Sequence, residues 1–254
     1  MFKNAIVRTP SPALVNGITS APELGKPDYD NALAQHSAYI AALETCGVTV
    51  TELEPDKRFP DGCFVEDVAV CTPAFAMVTS PGAPTRMGEE QEMADVLAGF
   101  YDRIEQITAP GTLEGGDVMM VGDHYYIGLS DRTNQAGAAQ LIAALERHGM
   151  KGSVVEMKEI LHLKTGLAYL EDNVLLVAGE FTDKPEFATY NRLVIPEDEG
   201  YAANCIRVND HVIVPEGFDK TREMIQDAGL STIMVDTSEF RKLDGGLSCL
   251  SLRF

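Results

Sequence analysis

The chain has 254 residues, 45% hydrophobic and 23% charged, a balance suited to a folded globular protein and without the bias that marks a disordered tail. A formal net charge of −19 repels nucleic acid and anionic lipid, and modestly favours a cationic small molecule. No apolar run reaches the roughly 20 residues of a membrane helix, and the start lacks a signal-peptide core. The five cysteines, Cys46, Cys63, Cys71, Cys205 and Cys249, are scattered without a Cys-x-x-Cys pair, which argues against a disulfide framework and against structural zinc. One domain over residues 1–254, cytoplasmic and with reduced thiols, is the expectation.

In chain order, a strand is predicted over Asn4 to Arg8. A helix follows over Tyr29 to Cys46, ended by Gly47, and then a strand over Val48 to Leu53. Four hairpin-like segments come next: Val68 to Gly82, Asp117 to Gly128, Leu167 to Gly179 and Asn204 to Gly217. Three have tight polar links, Gly122-Asp123, Glu171-Asp172-Asn173 and Asn209-Asp210, flanked by β-branched and apolar residues. Helices are predicted between hairpins, over Glu89 to Ala98 and over Asn134 to His148 before Gly149, with a strand over Ser153 to Met157. The closing glycines recur at intervals of about forty to fifty residues, a supersecondary repeat of the form hairpin, helix, strand.

The N-terminal elements supply most of a fifth repeat and lack only its first strand. The C-terminal run Cys249 to Phe254 reads as a strand with no partner of its own. Pairing the two ends would complete the fifth hairpin and close a ring with no open edge. The predicted fold class is therefore α/β, a five-bladed ββαβ propeller closed by its terminal strands.

Residues able to do chemistry fall at one place in each repeat, just before or at the first hairpin strand: Glu66-Asp67, Glu114 and Asp117, His162 with Lys164, Asn204, and Cys249. In a ring these positions converge on the axis. Cys249 follows paired glycines in Asp-Gly-Gly-Leu-Ser-Cys, and a thiol becomes a nucleophile when a base such as His162 stabilises its thiolate. The other cysteines read as packing, and His36, His124, His148 and His211 as satisfied histidines. Inward carboxylates are either ordinary turn residues or partners for a planar cation such as guanidinium. Arg86 and Arg132 are either surface charges or a clamp for a substrate carboxylate.

The segments Arg-Phe-Pro-Asp61, Phe64-Val-Glu66-Asp67, Glu114-Gly-Gly-Asp117, His162-Leu-Lys164-Thr-Gly and Asp244-Gly-Gly-Leu-Ser-Cys249 together resemble the dimethylarginine dimethylaminohydrolase family of the guanidino-modifying pentein superfamily. The resemblance spans the chain from first strand to last. It implies hydrolysis of methylated arginine to citrulline and an amine, with Cys249 as nucleophile and His162 as acid and base. It further implies that Asp67 and Glu114 hold the guanidinium, with Glu66 also at the substrate. Asp61 and the Ile18 backbone would meet the α-amino group, Arg86 and Arg132 the α-carboxylate, and Leu243 would line the pocket. No cofactor and no metal are implied; the partner is a small molecule, with nucleic acid and membrane excluded and a homodimer left open. In arginine deiminases, which the chain also resembles, an aspartate stands two residues after the histidine. Here that place is Lys164, which favours methylated over free arginine. A deiminase acting on unmethylated arginine or another guanidine and a non-catalytic pentein that only binds a partner are the competing readings, and a papain-like protease lacks its cysteine signature.

Overall fold

The computed structural model describes every residue, Met1–Phe254. In chain order the elements are β1 (Asn4–Arg8), α1 (Tyr29–Thr45), β2 (Thr49–Leu53), β3 (Ala69–Cys71), β4 (Ala76–Val78), α2 (Met93–Leu97), β5 (Ile104–Gln106), β6 (Val118–Val121), β7 (His124–Leu129), α3 (Gln135–Arg147), β8 (Lys151–Glu156), β9 (Leu167–Tyr169), β10 (Val174–Val177), β11 (Asn191–Val194), β12 (Ile206–Val208), β13 (His211–Pro215), α4 (Asp219–Asp227), β14 (Ser231–Val235), α5 (Ser238–Arg241) and β15 (Leu252–Arg253). No helix is long and apolar enough to cross a membrane.

The strands form five three-stranded sheets, and all five share one pattern. The first two strands pair antiparallel and the second pairs parallel with the third, as in β3-β4-β5, β6-β7-β8, β9-β10-β11 and β12-β13-β14. The fifth sheet obtains its first strand from the C-terminus: β15 pairs antiparallel with β1, Ile6 opposite Leu252, and β1 runs parallel to β2. The expected α/β fold of five ββαβ repeats, completed by the paired termini, is thus present.

Two compact units carry these sheets: Met1–Val65 with Ile195–Phe254, and Glu66–Val194. In the first, α1 starts where the Asp28 carboxylate accepts the Asn31 amide at 2.8 Å, and ends before Gly47 at φ +83°. Its buried face, Ala32, Gln35, His36, Tyr39, Ala42 and Leu43, follows helical spacing. That face packs into a core with Val208, Ile213, Phe240 and Leu250, where each fully buried large side chain contributes roughly 1.5–3 kcal/mol. The second unit has one core around Phe75, Leu113, Tyr125 and Leu141 and another around Leu163, Leu175, Phe181 and Phe187.

Three elements differ from expectation. The helix predicted from Glu89 spans only Met93–Leu97, because Gly88 is left-handed (φ +104°) and Glu89 turns back onto Arg86. Between β10 and β11 the crossover is made by two 3-10 turns, Gly179–Phe181 and Pro185–Phe187, in place of an α-helix. The C-terminal strand shrinks to Leu252–Arg253, and Cys249 lies in a 3-10 turn, Ser248–Leu250. Such a turn precedes the first strand of every sheet: Val65–Val68, Gly115–Asp117, Leu163–Thr165, Glu197–Ala203 and Ser248–Leu250.

His36 and His211 were expected to be satisfied. Instead, Nε2 of His36 and Nδ1 of His211 are buried without a hydrogen-bond partner in the protein. Burial lowers the His36 pKa from 6.5 to about 4, partly opposed by Glu52. The unfolded chain therefore takes up this proton first, so stability falls as pH drops from about 6.5 towards 4. Between pH 7.5 and 5 the loss should be about 2 kcal/mol. Urea unfolding of wild type and His36→Leu at both pH values checks this; an equal pH dependence in the two proteins would rule out His36 as the cause.

Candidate functional site

The candidate residues fall into two groups, one in each compact unit. In the Glu66–Val194 unit a buried charge cluster is assembled from the 3-10 turns that precede β3, β6 and β9. Close backbone approach makes it possible. A Cβ on Gly116 would stand 2.8 Å from Asp67 Oδ1 and 2.9 Å from the His162 ring, so only glycine fits. The Gly116 amide uses that proximity and donates to Asp67 Oδ1 at 2.9 Å.

His162 sits in extended backbone at the head of the Leu163–Thr165 turn. Its Nε2 lies 2.8 Å from Glu114 Oε2, with both side chains buried. Asp117, fully buried, accepts the Leu163 amide at 3.0 Å and the Ser130 hydroxyl at 2.7 Å, and so fixes the turn that carries the histidine. Burial alone would lower the His162 pKa, but Asp67, Asp117 and Glu114 outweigh it and raise it to about 9. The imidazole is therefore an imidazolium at neutral pH. The Glu114 carboxyl, despite burial, is held well below the usual range by His162, Arg86 and Arg132. Its Oε1 accepts the amides of Gly82 and Ala83 at 3.0 and 3.2 Å and faces Arg132 at 3.5 Å.

Arg86 is not a surface charge. It is 4% exposed, with Nη1 2.5 Å from Asp67 Oδ2 and with Nε and Nη2 on Glu89 Oε2 at 3.0 and 2.7 Å. Burial would lower its pKa, but Asp67, Glu89 and Glu114 raise it well above its ordinary value. Lys164 does not extend to solvent either: its Nζ is 2.7 Å from Glu66 Oε1 and both side chains are largely buried. Asp67, Glu114 and His162 bring one potential metal-ligand atom each within 4.8 Å of one another. Arg86, Gly116 and the His162–Glu114 bond already engage these groups, and the two arginines supply the positive charge that the carboxylates require.

In the other unit, Cys249 is 9% exposed. Its Sγ receives the Gly246 amide at 3.4 Å and Asn204 Nδ2 at 3.9 Å, with the Ser248 hydroxyl at 4.0 Å. Tyr39 of α1 anchors the same segment, its hydroxyl donating to the Leu247 carbonyl at 2.9 Å and meeting Ser251 Oγ at 2.6 Å. Asp61 accepts the Ile18 amide on Oδ1 at 3.0 Å, so these two expected neighbours are brought together. A Cβ on Gly17 would meet both Asp61 Oδ1 and Leu243 Cδ1, which places Leu243 beside them. Ser20 donates its amide and hydroxyl to the Asp244 carboxylate, tying the Ile18 loop to the cysteine loop. All five cysteines are free. Burial pushes the thiols of Cys46 and Cys205 up to about 11 and about 12, as fits inert packing.

Residues 24–195 match the family described as N,N dimethylarginine dimethylhydrolase, eukaryotic. The N(G),N(G)-dimethylarginine dimethylaminohydrolase of Pseudomonas aeruginosa is 59% identical, over the whole of both chains. This chain belongs to the dimethylarginine dimethylaminohydrolase family. Among solved structures, a Cys249→Ser mutant of the P. aeruginosa DDAH complexed with citrulline is similar at 58% identity and a TM-score of 0.99, with both chains fully covered. A dimethylarginine dimethylaminohydrolase carrying His162→Gly, as an adduct with S-methyl-L-thiocitrulline, is similar at 58% identity and a TM-score of 0.98, again over all of both chains.

Within this dimethylarginine dimethylaminohydrolase family member, Glu89 and Tyr39 were not among the candidates. Glu89 stands three residues after Arg86, a helical ion-pair spacing that was the available signal. Tyr39 lay within the predicted helix Tyr29 to Cys46, and a buried tyrosine hydroxyl needs a partner. Asp117 and Asn204 were marked by their place in the repeat, without a role.

Proposed function

We propose that the chain hydrolyses Nω-methylated arginine to citrulline and the methylated amine through a covalent intermediate on Cys249. One observation carries this reading. Solved relatives that match the whole chain hold citrulline or a thiocitrulline adduct, in proteins changed at Cys249 or at His162. These are the two residues on which the sequence motifs converge.

The Cys249 thiolate attacks the guanidinium carbon, and the C–N bond to the methylated nitrogen breaks as that nitrogen takes the His162 proton. An S-alkylthiouronium remains on the sulfur. His162, now neutral, removes one proton from water as its oxygen adds to the same carbon; the C–S bond breaks, the remaining hydroxyl proton passes to bulk water, and citrulline and the thiolate are released. Asp67 and Glu114 hold the guanidinium nitrogens through charge-assisted hydrogen bonds, and Glu114 also orients the imidazole. Asp61 and the Ile18 backbone meet the α-amino group, and Leu243 lines the pocket.

Arg132 and Arg86 take the substrate carboxylate, but the two cannot be tested alike. Arg86→Ala would strip Asp67 and Glu89 of a buried counter-charge, at a cost of about 3–5 kcal/mol in stability. Arg132, partly exposed, gives the cleaner test. Arg132→Ala should raise KM far more than it lowers kcat, with a loss of about tenfold to a hundredfold in kcat/KM. An unchanged KM for dimethylarginine would remove Arg132 from the clamp.

The Lys164–Glu66 ion pair supports a methylated substrate. Glu66 is already neutralised, so a free guanidinium, with its full set of N–H donors, finds one fewer open acceptor than in a deiminase. Methyl groups remove donors from that end of the fork. Incubation with dimethylarginine, monomethylarginine and arginine, followed by citrulline and amine detection, tests this. Higher kcat/KM for a methylated substrate is expected; equal constants for all three would overturn the substrate assignment and leave the Cys249 and His162 chemistry in place.

A further inference from the structure

Asn204 ends the Glu197–Ala203 turn, its amide donating to the Tyr201 carbonyl at 3.2 Å, and its side chain is buried. In its own repeat it belongs to the segment before the first strand, the segment that carries His162 and Cys249 in theirs. Its two side-chain heteroatoms have separate tasks. Oδ1 accepts the Ser248 amide at 2.8 Å, and Nδ2 points to Cys249 Sγ at 3.9 Å. The orientation of the amide follows from the chemistry. With the Ser248 N–H aimed at one end, a flipped amide would set donor against donor, so the NH2 group faces the sulfur.

The surrounding loop is built to receive it. A Cβ on Gly246 would come within 2.4 Å of Asn204 Cγ, so the second glycine before Cys249 is there to admit this side chain. Three residues earlier, the Tyr201 hydroxyl donates to the Gly245 carbonyl at 2.9 Å. One short segment therefore grips the nucleophile loop at Gly245, Ser248 and the sulfur. A buried thiolate lacks water to solvate it and depends on fixed donors; the Gly246 amide and the Asn204 amide are among those that face this sulfur.

From this geometry we infer that Asn204 is a positioning residue for the nucleophile, fixing the Ser248–Cys249 turn with its oxygen and stabilising the thiolate with its N–H. The inference rests on the reading of Cys249 as nucleophile. Asn204→Asp separates the two tasks, since it keeps an acceptor for the Ser248 amide and sets a negative oxygen against the sulfur.

The test alkylates the full-length protein with iodoacetamide at pH 7.5, reads the Cys249 peptide by mass spectrometry, and runs citrulline kinetics in parallel. Asn204→Asp should lower the Cys249 alkylation rate and kcat each by about tenfold or more, with KM within about threefold and a thermal midpoint near that of wild type. Asn204→Ala should lose alkylation rate and kcat in the same direction, and it decides the matter if the aspartate variant does not fold. Wild-type alkylation and kcat in either variant would overturn the inference, as would a wild-type Cys249 that resists the reagent. If wild-type Cys249 alkylates but the protein releases no citrulline, the proposed function fails on its own and the alkylation rates still decide the role of Asn204.

Discussion

A Cys249→Ser protein should bind dimethylarginine and release no detectable citrulline. Serine is nearly isosteric, and its oxygen can accept the Gly246 and Asn204 donors that now face the sulfur, so the turn should persist. What is lost is the nucleophile. Near neutral pH a serine hydroxyl is almost wholly protonated, and its attack on a resonance-stabilised guanidinium carbon needs a far stronger base than an imidazole whose pKa is about 9 can be while protonated. A fall of at least about three orders of magnitude in kcat is expected, as for the removal of the attacking group in other covalent hydrolases. Calorimetric titration with dimethylarginine should still give saturable binding, which separates loss of chemistry from loss of fold. Citrulline release within tenfold of wild type would end the assignment of Cys249.

Much of this arrangement could be read from the chain, and the rest was hidden for identifiable reasons. The hairpins were legible because their links need residues that tolerate positive φ, and Gly122, Asn209 and the run Glu171-Asp172-Asn173 all adopt it. Helices α1 and α3 were legible from the glycines that end them, Gly47 and Gly149, and in the structure Asp28 and Asn134 cap their starts. Helix α2 was overextended because an apolar pattern does not reveal that Glu89 is diverted to Arg86. The C-terminal strand was overextended because Leu250 and Leu252 alternate like a strand, whereas the residues up to Leu250 form the turn that presents the thiol. Glycine pairs flagged both loops correctly, since in each a side chain would collide with Asn204 or with Asp67 and His162. Pairing was the least legible property. That Arg86 pairs with Asp67 and Glu89, and Lys164 with Glu66, depends on rotamers and burial that no single-residue pattern encodes.

His162→Gly should lose about two to four orders of magnitude in kcat, the usual worth of a placed general acid and base. The departing amine cannot leave as an anion and must collect a proton as the C–N bond breaks, so the group beside it has to carry one at working pH. Burial by itself would strip the imidazole of that proton. Asp67, Asp117 and Glu114 reverse the balance and hold the His162 pKa at about 9. A raised pKa keeps the acid form below about pH 9, and both the proton donor and the stabilisation from the Glu114 pair are lost as pH rises through that value. Wild-type kcat should therefore fall above about pH 9, and Glu114→Gln, which removes one of the groups that raise the pKa, should move that limb to lower pH. The glycine variant should remain folded, because Arg86 and Arg132 still offset Asp67 and Glu114 after the imidazolium has gone. Added imidazole, small enough to enter the space left by the ring, should restore part of the activity. Wild-type kcat in His162→Gly without added imidazole would remove the residue from the mechanism, and an unmoved alkaline limb in Glu114→Gln would show that the carboxylate does not set the proton affinity of His162.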